Sequence, residues 1–171
     1  RNAVQGHARN ARRGAGLVAR TVEGARARLP RRAERSGGPA AASFCIVEDD
    51  PASPALAALI ALHVGEARAV TPAGFSHALD ASGLATETIT FWTARDGDMI
   101  PGMVALKELD RDHGEIKSMR TAPGFLRRGI ARLLLDHALG EARARGYGRV
   151  SLETGTHDRY TAANALYEAA G

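Results

Sequence analysis

Thr121-Ala122-Pro123-Gly124-Phe125-Leu126-Arg127-Arg128-Gly129-Ile130-Ala131 is the stretch on which the fold turns. Before it stands Glu115 to Thr121 (EIKSMRT), a strand-like run closed by Pro123-Gly124. After it the apolar spacing becomes helical: Ile130, Leu133, Leu134 and Ala138 form one stripe, Leu135, Leu139 and Ala142 widen it, and Gly146 stops it. A strand, a short Gly-containing turn and a helix therefore follow one another. The start of a helix exposes unpaired N–H groups and about half a positive charge, which favours a bound phosphate. Gly129 and Ala131 leave the backbone open to close approach, and Arg127 and Arg128 add cationic donors at the mouth. A basic turn without a ligand fits the same residues. A P-loop is excluded because Gly-Lys-Ser/Thr is missing, and a dinucleotide fingerprint because the third glycine is missing and the upstream strands read as antiparallel.

Working outward, Thr88 to Arg95 (TITFWTAR) is rich in β-branched and aromatic residues and breaks at Asp96-Gly97-Asp98, which is hairpin chemistry. Met103 to Leu109 makes the next strand, joined to EIKSMRT through the polar turn Asp110 to Gly114. Upstream, Phe44 to Val47 suits a short strand. Ser53-Pro54 opens a helix on which Leu56, Leu59, Ile60, His63 and Val64 share a face. A second short helix is expected over Phe75 to Asp80. Val150 to Thr154 reads as a strand and Thr161 to Ala170 as a final helix. The expected order is β-α-α-β-β-β-α-β-α.

At 171 residues, with 44% apolar and 25% charged side chains, the chain has the size and composition of one globular domain. Its basicity is local. Residues 1–43 hold ten arginines against Glu23 and Glu34, a charge of +8, so residues 44–171 carry −4 of the chain's +4. The folded part has no general basic face for nucleic acid. Residues 1–43 lack large apolar side chains and end in Ser36-Gly37-Gly38-Pro39; they are expected to form a disordered Arg-rich extension. Such an arm is open to three uses: a nucleic-acid contact, an organellar transit segment, or a solvated tail. Cys45 stands alone, so no internal disulfide and no zinc spacing arises, which suits a reducing compartment. No run reaches the roughly 18 apolar residues of a spanning helix. The expectation is a cytoplasmic protein with no membrane contact.

On these residues the chain resembles the GCN5-related N-acetyltransferase (GNAT) family. Leu126 to Ala131 is similar to the family's Gln/Arg-x-x-Gly-x-Gly/Ala loop, and GEIKSMRTAP, RVSLETG and ALYEAAG stand where its fourth strand, fifth strand and following helix belong. HALD (His77 to Asp80) with EIKSMRT and SLETG further resembles a bacterial subgroup. The resemblance covers residues 44–171. It implies an α/β fold, a mixed, mainly antiparallel twisted sheet flanked by helices and split between the fourth and fifth strands. It also implies acetyl-CoA as co-substrate and transfer of the acetyl group to a primary amine by direct attack. Leu126 departs from the Gln or Arg of the loop pattern, and Tyr160 stands where an Asn often opens the last helix. The family continues past the position of Gly171 with two strands that close the acceptor side; this chain is expected to lack them.

The resemblance implies roles residue by residue. Leu126, Arg127, Arg128, Gly129, Ile130 and Ala131 would hold the cofactor's phosphates, and Tyr160 would also contact the cofactor. The backbone of Met119, Arg120 and Thr121 would pair with its pantetheine arm, with an N–H near Met119 facing the oxyanion. A primary amine with pKa ~10.4 needs a base at neutral pH. Glu115 matches a catalytic glutamate, and Glu153 is a second candidate. Tyr167 matches the tyrosine that protonates the leaving thiolate. His63 and His77 would border the acceptor, Asn164 reads as structural, and Trp92 reads as core. Two other uses stay open: a CoA-binding module without turnover, or a nucleic-acid-associated protein acting through residues 1–43. A second copy of the chain is a candidate partner, forming a homodimer.

Overall fold

The computed structural model describes residues 17–23, 44–70 and 78–170. The alternating run read from the sequence becomes β3 (Ile89–Asp96), which turns through Gly97 at φ +57° into β4 (Met99–Asp110). The tight reversal at Asp110 leads to β5 (His113–Thr121), a longer pair of strands than the expected five-residue turn allowed. The other strands are β1 (Leu17–Glu23), β2 (Cys45–Glu48) and β6 (Arg149–Gly155). They form one sheet in the order β1-β6-β5-β4-β3-β2, antiparallel throughout except for the parallel pair β5–β6. The sheet is mixed and mainly antiparallel, as expected.

Helices cover both faces. Pro54 starts a short 3-10 turn that runs into α1 (Ala57–Val70); Ser53 holds the cap position through its carbonyl, without the side-chain cap its identity suggested. Leu56, Ile60 and Val64 pack with Phe91, Met103 and Ala105 on this face. On the other face α3 (Ile130–Ala144) buries Ile130, Leu134, Leu135, Ala138, Leu139 and Ala142 against Val104, Leu106, Ile116, Val150 and Leu152. Each such leucine is worth roughly 1.5–3 kcal/mol on burial, so α3 is held chiefly by this stripe. Leu133, assigned to the stripe from spacing, instead faces outward at 37% exposure.

Three further expectations change. α2 is Ala81–Leu84, with Asp80 as its N-cap accepting from the Gly83 N–H at 2.9 Å; residues 78–80 are not helical, and 71–77, including His77, lie outside the described residues. Asp80 prefers a cap to a helix interior because its carboxylate satisfies a free N–H. The sheet does not begin at Phe44: β1 pairs along the whole of β6 from within the segment read as an extension. Leu17 to Glu23 contains Val18, Thr21 and Val22, a short β-favouring run masked by the surrounding arginines. The rest of residues 1–43 lies outside the description. The last helix, α4 (Thr161–Glu168), falls within its expected span.

Gly102 in β4 sets how closely α3 approaches. A Cβ there would stand 2.7 Å from the Arg120 carbonyl oxygen, 2.9 Å from Leu134 Cδ1 and 3.0 Å from Ile130 Cγ2. Gly102→Val is therefore expected to cost ~1–3 kcal/mol by overpacking, read as a lower denaturant midpoint at constant slope. An unchanged midpoint would contradict the close approach of α3 to β4.

Candidate active site

The site begins with an irregularity in β5. Met103 pairs with Arg120 and Ala105 with Lys117, so Ser118 and Met119 together oppose the single residue Val104. Ser118 takes φ +49°, a left-handed conformation unusual for a side chain with a Cβ. This is a β-bulge, which bends its strand and disturbs the ladder. Pairing of β5 with β6 is confined to His113–Ile116 against Arg149–Leu152. Beyond Ile116 the strands part, and a groove of about 1200 Å³ opens between them. Met119, Arg120 and Thr121 line it, with Leu152 to Gly155 of β6 on the other bank.

One end of the groove meets the start of α3. Arg127 at φ +60° and Gly129 at φ +81° turn the chain, and Gly129 is the helix N-cap without any side-chain cap. The N–H groups of the first turn have no intrahelical acceptor, and no acidic residue stands there. A Cβ built on Gly129 meets nothing within 4 Å, so the backbone faces open groove. Arg127 and Arg128 are exposed, and the Arg128 guanidinium stacks 5.1 Å from the Phe125 ring centroid. Leu126 is 58% exposed and supplies nothing polar. Ile130 is buried in the core, so only its backbone faces a ligand; Ala131 stays small beside it. Free donors, a positive helix end and two cations fit a diphosphate.

The remaining residues divide unevenly. Tyr167 of α4 lines the groove, and burial, with Tyr160 nearby, pushes its phenol up to about 12. Tyr160 precedes α4 with its ring over Gly155, where a Cβ would come within 2.4 Å of Cε2. Asn164 Nδ2 donates to the Gly155 carbonyl at 3.2 Å, which is a structural contact. Glu115 is not among the groove residues: its carboxylate is bound by Lys117 Nζ at 2.7 Å. Glu153 does line the groove, 3.7 Å from the same ammonium. Trp92 is core, 4% exposed.

Other groove residues were not singled out from the sequence. The Arg120 side chain, whose backbone alone was considered, reaches α1 and donates to Glu66 from Nη1 at 2.6 Å and Nη2 at 2.9 Å. Arg159 lines the groove near the same glutamate. Glu66 and Ala67 follow His63, the residue expected to border the acceptor, at i+3 and i+4 on α1, and that spacing was the available signal. Ser118 Oγ and Thr121 Oγ1 are buried without a hydrogen-bond partner among the described residues.

With this geometry in view, the comparisons are specific. Residues 56–171 match the model of the Acetyltransferase (GNAT) family, and the chain belongs to that family. It is 48% identical over 124 residues to the uncharacterized N-acetyltransferase YedL of Escherichia coli, covering 72% of this chain and 78% of that one. It is 44% identical over 123 residues to the uncharacterized N-acetyltransferase YsnE of Bacillus subtilis, covering 72% and 82%. A GNAT family acetyltransferase from Elizabethkingia anophelis, solved with acetyl-CoA bound, shares the fold at a TM-score of 0.57 and 21% identity, covering 75% of this chain and 74% of that one. The chain is thus an acetyl-CoA-dependent acyltransferase by class. Among the described residues no helix is long and apolar enough to cross a membrane.

Burial gives His63 a measurable signature. Desolvation first, and then the Arg120 charge, lower its pKa from 6.5 to about 4. The folded value lies below the unfolded one, so the unfolded chain binds more protons as the pH falls. His63 therefore adds stability above pH 6.5 that is lost as pH drops toward 4. Denaturant unfolding across that window is expected to show a decline of about 3 kcal/mol that is absent in His63→Gln. Equal slopes in both proteins would contradict a half-buried neutral imidazole.

Proposed function

We propose that this chain moves the acetyl group of acetyl-CoA onto a primary amine by direct attack, in the opening between β5 and β6. The observation that carries the reading is the end of β5–β6 pairing at Ile116, beside a helix N-terminus with open backbone donors. The catalytic unit is residues 44–171, with β1 added along β6.

When bound, acetyl-CoA supplies an activated acyl group. The N–H groups at the start of α3, with Arg127 and Arg128, would hold its diphosphate; Leu126, Ile130 and Ala131 contribute backbone, and Tyr160 contributes a wall. The backbone of Met119, Arg120 and Thr121, unpaired toward β6, is free to accept and donate to an extended amide-bearing arm. A backbone N–H near Met119 would stabilise the oxyanion, since a bulge re-aims backbone groups.

For the amine's proton we assign Glu153, which lines the groove, in preference to Glu115, which does not line it and is ion-paired to Lys117. Tyr167 serves the departing sulfur. Full transfer from a phenol at about 12 to a thiolate near ~8.5 is uphill by roughly 5 kcal/mol. Its part is therefore a hydrogen bond to the developing thiolate. A covalent route through Cys45 finds no support: Cys45 lies on β2, at the far edge of the sheet from β6.

Gly129→Glu is expected to abolish CoA binding by calorimetry in a folded protein, because a carboxylate would occupy the anion site. Unaltered affinity would remove the loop from the site. Glu153→Gln should lower kcat by ~10²–10⁴ with little change in acetyl-CoA KM, and Glu115→Gln much less. The reverse ranking would return the base to Glu115. With Tyr167 titrating at about 12, the rate profile should show no basic limb from it below pH ~10, while Tyr167→Phe lowers the plateau. CoA binding without turnover on any amine would favour a binding module.

A further inference from the structure

On its α1 side the groove carries two charge clusters of opposite sign, each built around a cation of β5: Arg120 in one and Lys117 in the other. In the first, Arg120 of β5 donates twice to the Glu66 carboxylate, at 2.6 and 2.9 Å. Arg159, in the turn before α4, donates from Nη1 to the Glu66 backbone carbonyl at 3.3 Å and holds Nη2 4.0 Å from its carboxylate. The hydrogen bond from Arg120 keeps the Glu66 carboxyl below the usual carboxylate range, so it is ionised at neutral pH. Two guanidinium groups thus share one carboxylate, and one positive charge is left over. Arg120 Nε is buried and has no partner among the described residues, while the Arg159 side chain is 38% exposed.

The second cluster has the opposite excess. Lys117 lies 2.7 Å from Glu115 and 3.7 Å from Glu153, so two carboxylates share one ammonium. Glu153, 32% exposed, is the member that faces the groove. His63, neutral near pH 7, leaves both balances as they are. A ligand with one charge of either sign would meet repulsion from one cluster or leave the other unmatched. A ligand carrying both charges matches both.

We propose that the acceptor is an amine that also carries a carboxylate, of the amino-acid class, with its carboxylate bound at Arg159 and Arg120 and its ammonium presented to Glu153. Arg159 is then a specificity-determining residue. The planar guanidinium fork suits a carboxylate, and the unpartnered Arg120 Nε offers a further donor. This assignment rests on the acetyl-transfer reading above.

The test measures CoA release from the full chain at saturating acetyl-CoA with matched acceptors: an amino acid, its carboxamide, and the corresponding amine without the carboxylate. The expected kcat/KM favours the amino acid by roughly 10–100-fold, the range for a charge-assisted hydrogen-bond pair. Arg159→Gln should collapse that ratio toward one through a higher amino-acid KM, and Arg159→Lys should keep part of it. Unfolding midpoints near wild type in both variants show that the loss is not one of folding. A wild type that turns over the carboxylate-free amine as well as the amino acid would overturn the acceptor assignment while acetyl transfer stands. A rise in acetyl-CoA KM with every acceptor in Arg159→Gln would overturn it too, placing Arg159 on the CoA. Acetyl-CoA binding by calorimetry without turnover of any acceptor would overturn the acetyl-transfer reading itself.

Discussion

One extra residue in β5 is the constraint on which the site depends. Ser118 and Met119 oppose Val104 alone, and the backbone turns left-handed at Ser118. A non-glycine residue held there costs about 1–3 kcal/mol and persists only where its surroundings fix it. Here β4 fixes it from one side, through pairs on both flanks of the bulge, and Met119 packs against the core under α3. The same bend ends the parallel pairing at Ile116. Without it β5 and β6 would continue side by side, their backbone groups would satisfy one another, and no groove would lie between them. The bulge therefore exchanges ladder hydrogen bonds for a lined opening with free backbone groups.

The positions of the helices follow from packing around that opening. Gly102 lets Ile130 and Leu134 rest on β4, which places the positive start of α3 beside the freed stretch of β5. α1 packs on the opposite face through Leu56, Ile60 and Val64, and brings His63 and Glu66 to the other entrance. Each face contributes its own electrostatics: open N–H donors and arginines where α3 begins, mixed ion pairs where α1 meets β5. Burial lowers the pKa of His63 to about 4 and raises that of Tyr167 to about 12, which widens the pH range over which both stay uncharged.

Much of this was legible because short-range chemistry encodes it. The β3–β4 hairpin announces itself in TITFWTAR-Asp96-Gly97, and the α3 stripe with Gly129 marks the anion loop. What stayed hidden depends on distance or register. Nothing in the letters around Ser118 signals a left-handed residue, since serine is common in ordinary strands. Arg120 and Glu66 are 54 residues apart, and Arg159 and Glu66 are 93, so no local pattern joins them. Glu115 and Lys117 do show a period of two, which puts them on one face of the strand. That spacing signals the ion pair between them, which the resemblance alone did not. Leu133 fits a helical stripe by spacing alone, yet it lies off the buried face of α3 and is 37% exposed. β1 was missed because charge dominated the reading of a segment whose strand signal spans only Leu17 to Glu23.

Amide hydrogen exchange of the full chain, with and without saturating acetyl-CoA, tests most directly whether the co-substrate lies in the opening made by the bulge. The account predicts slowed exchange confined to two stretches, Lys117 to Thr121 of β5 and Gly129 to Arg132 at the start of α3, with β2 and β3 unchanged. Protection elsewhere in the sheet, or turnover of acetyl-CoA with no protection in these two stretches, would contradict it.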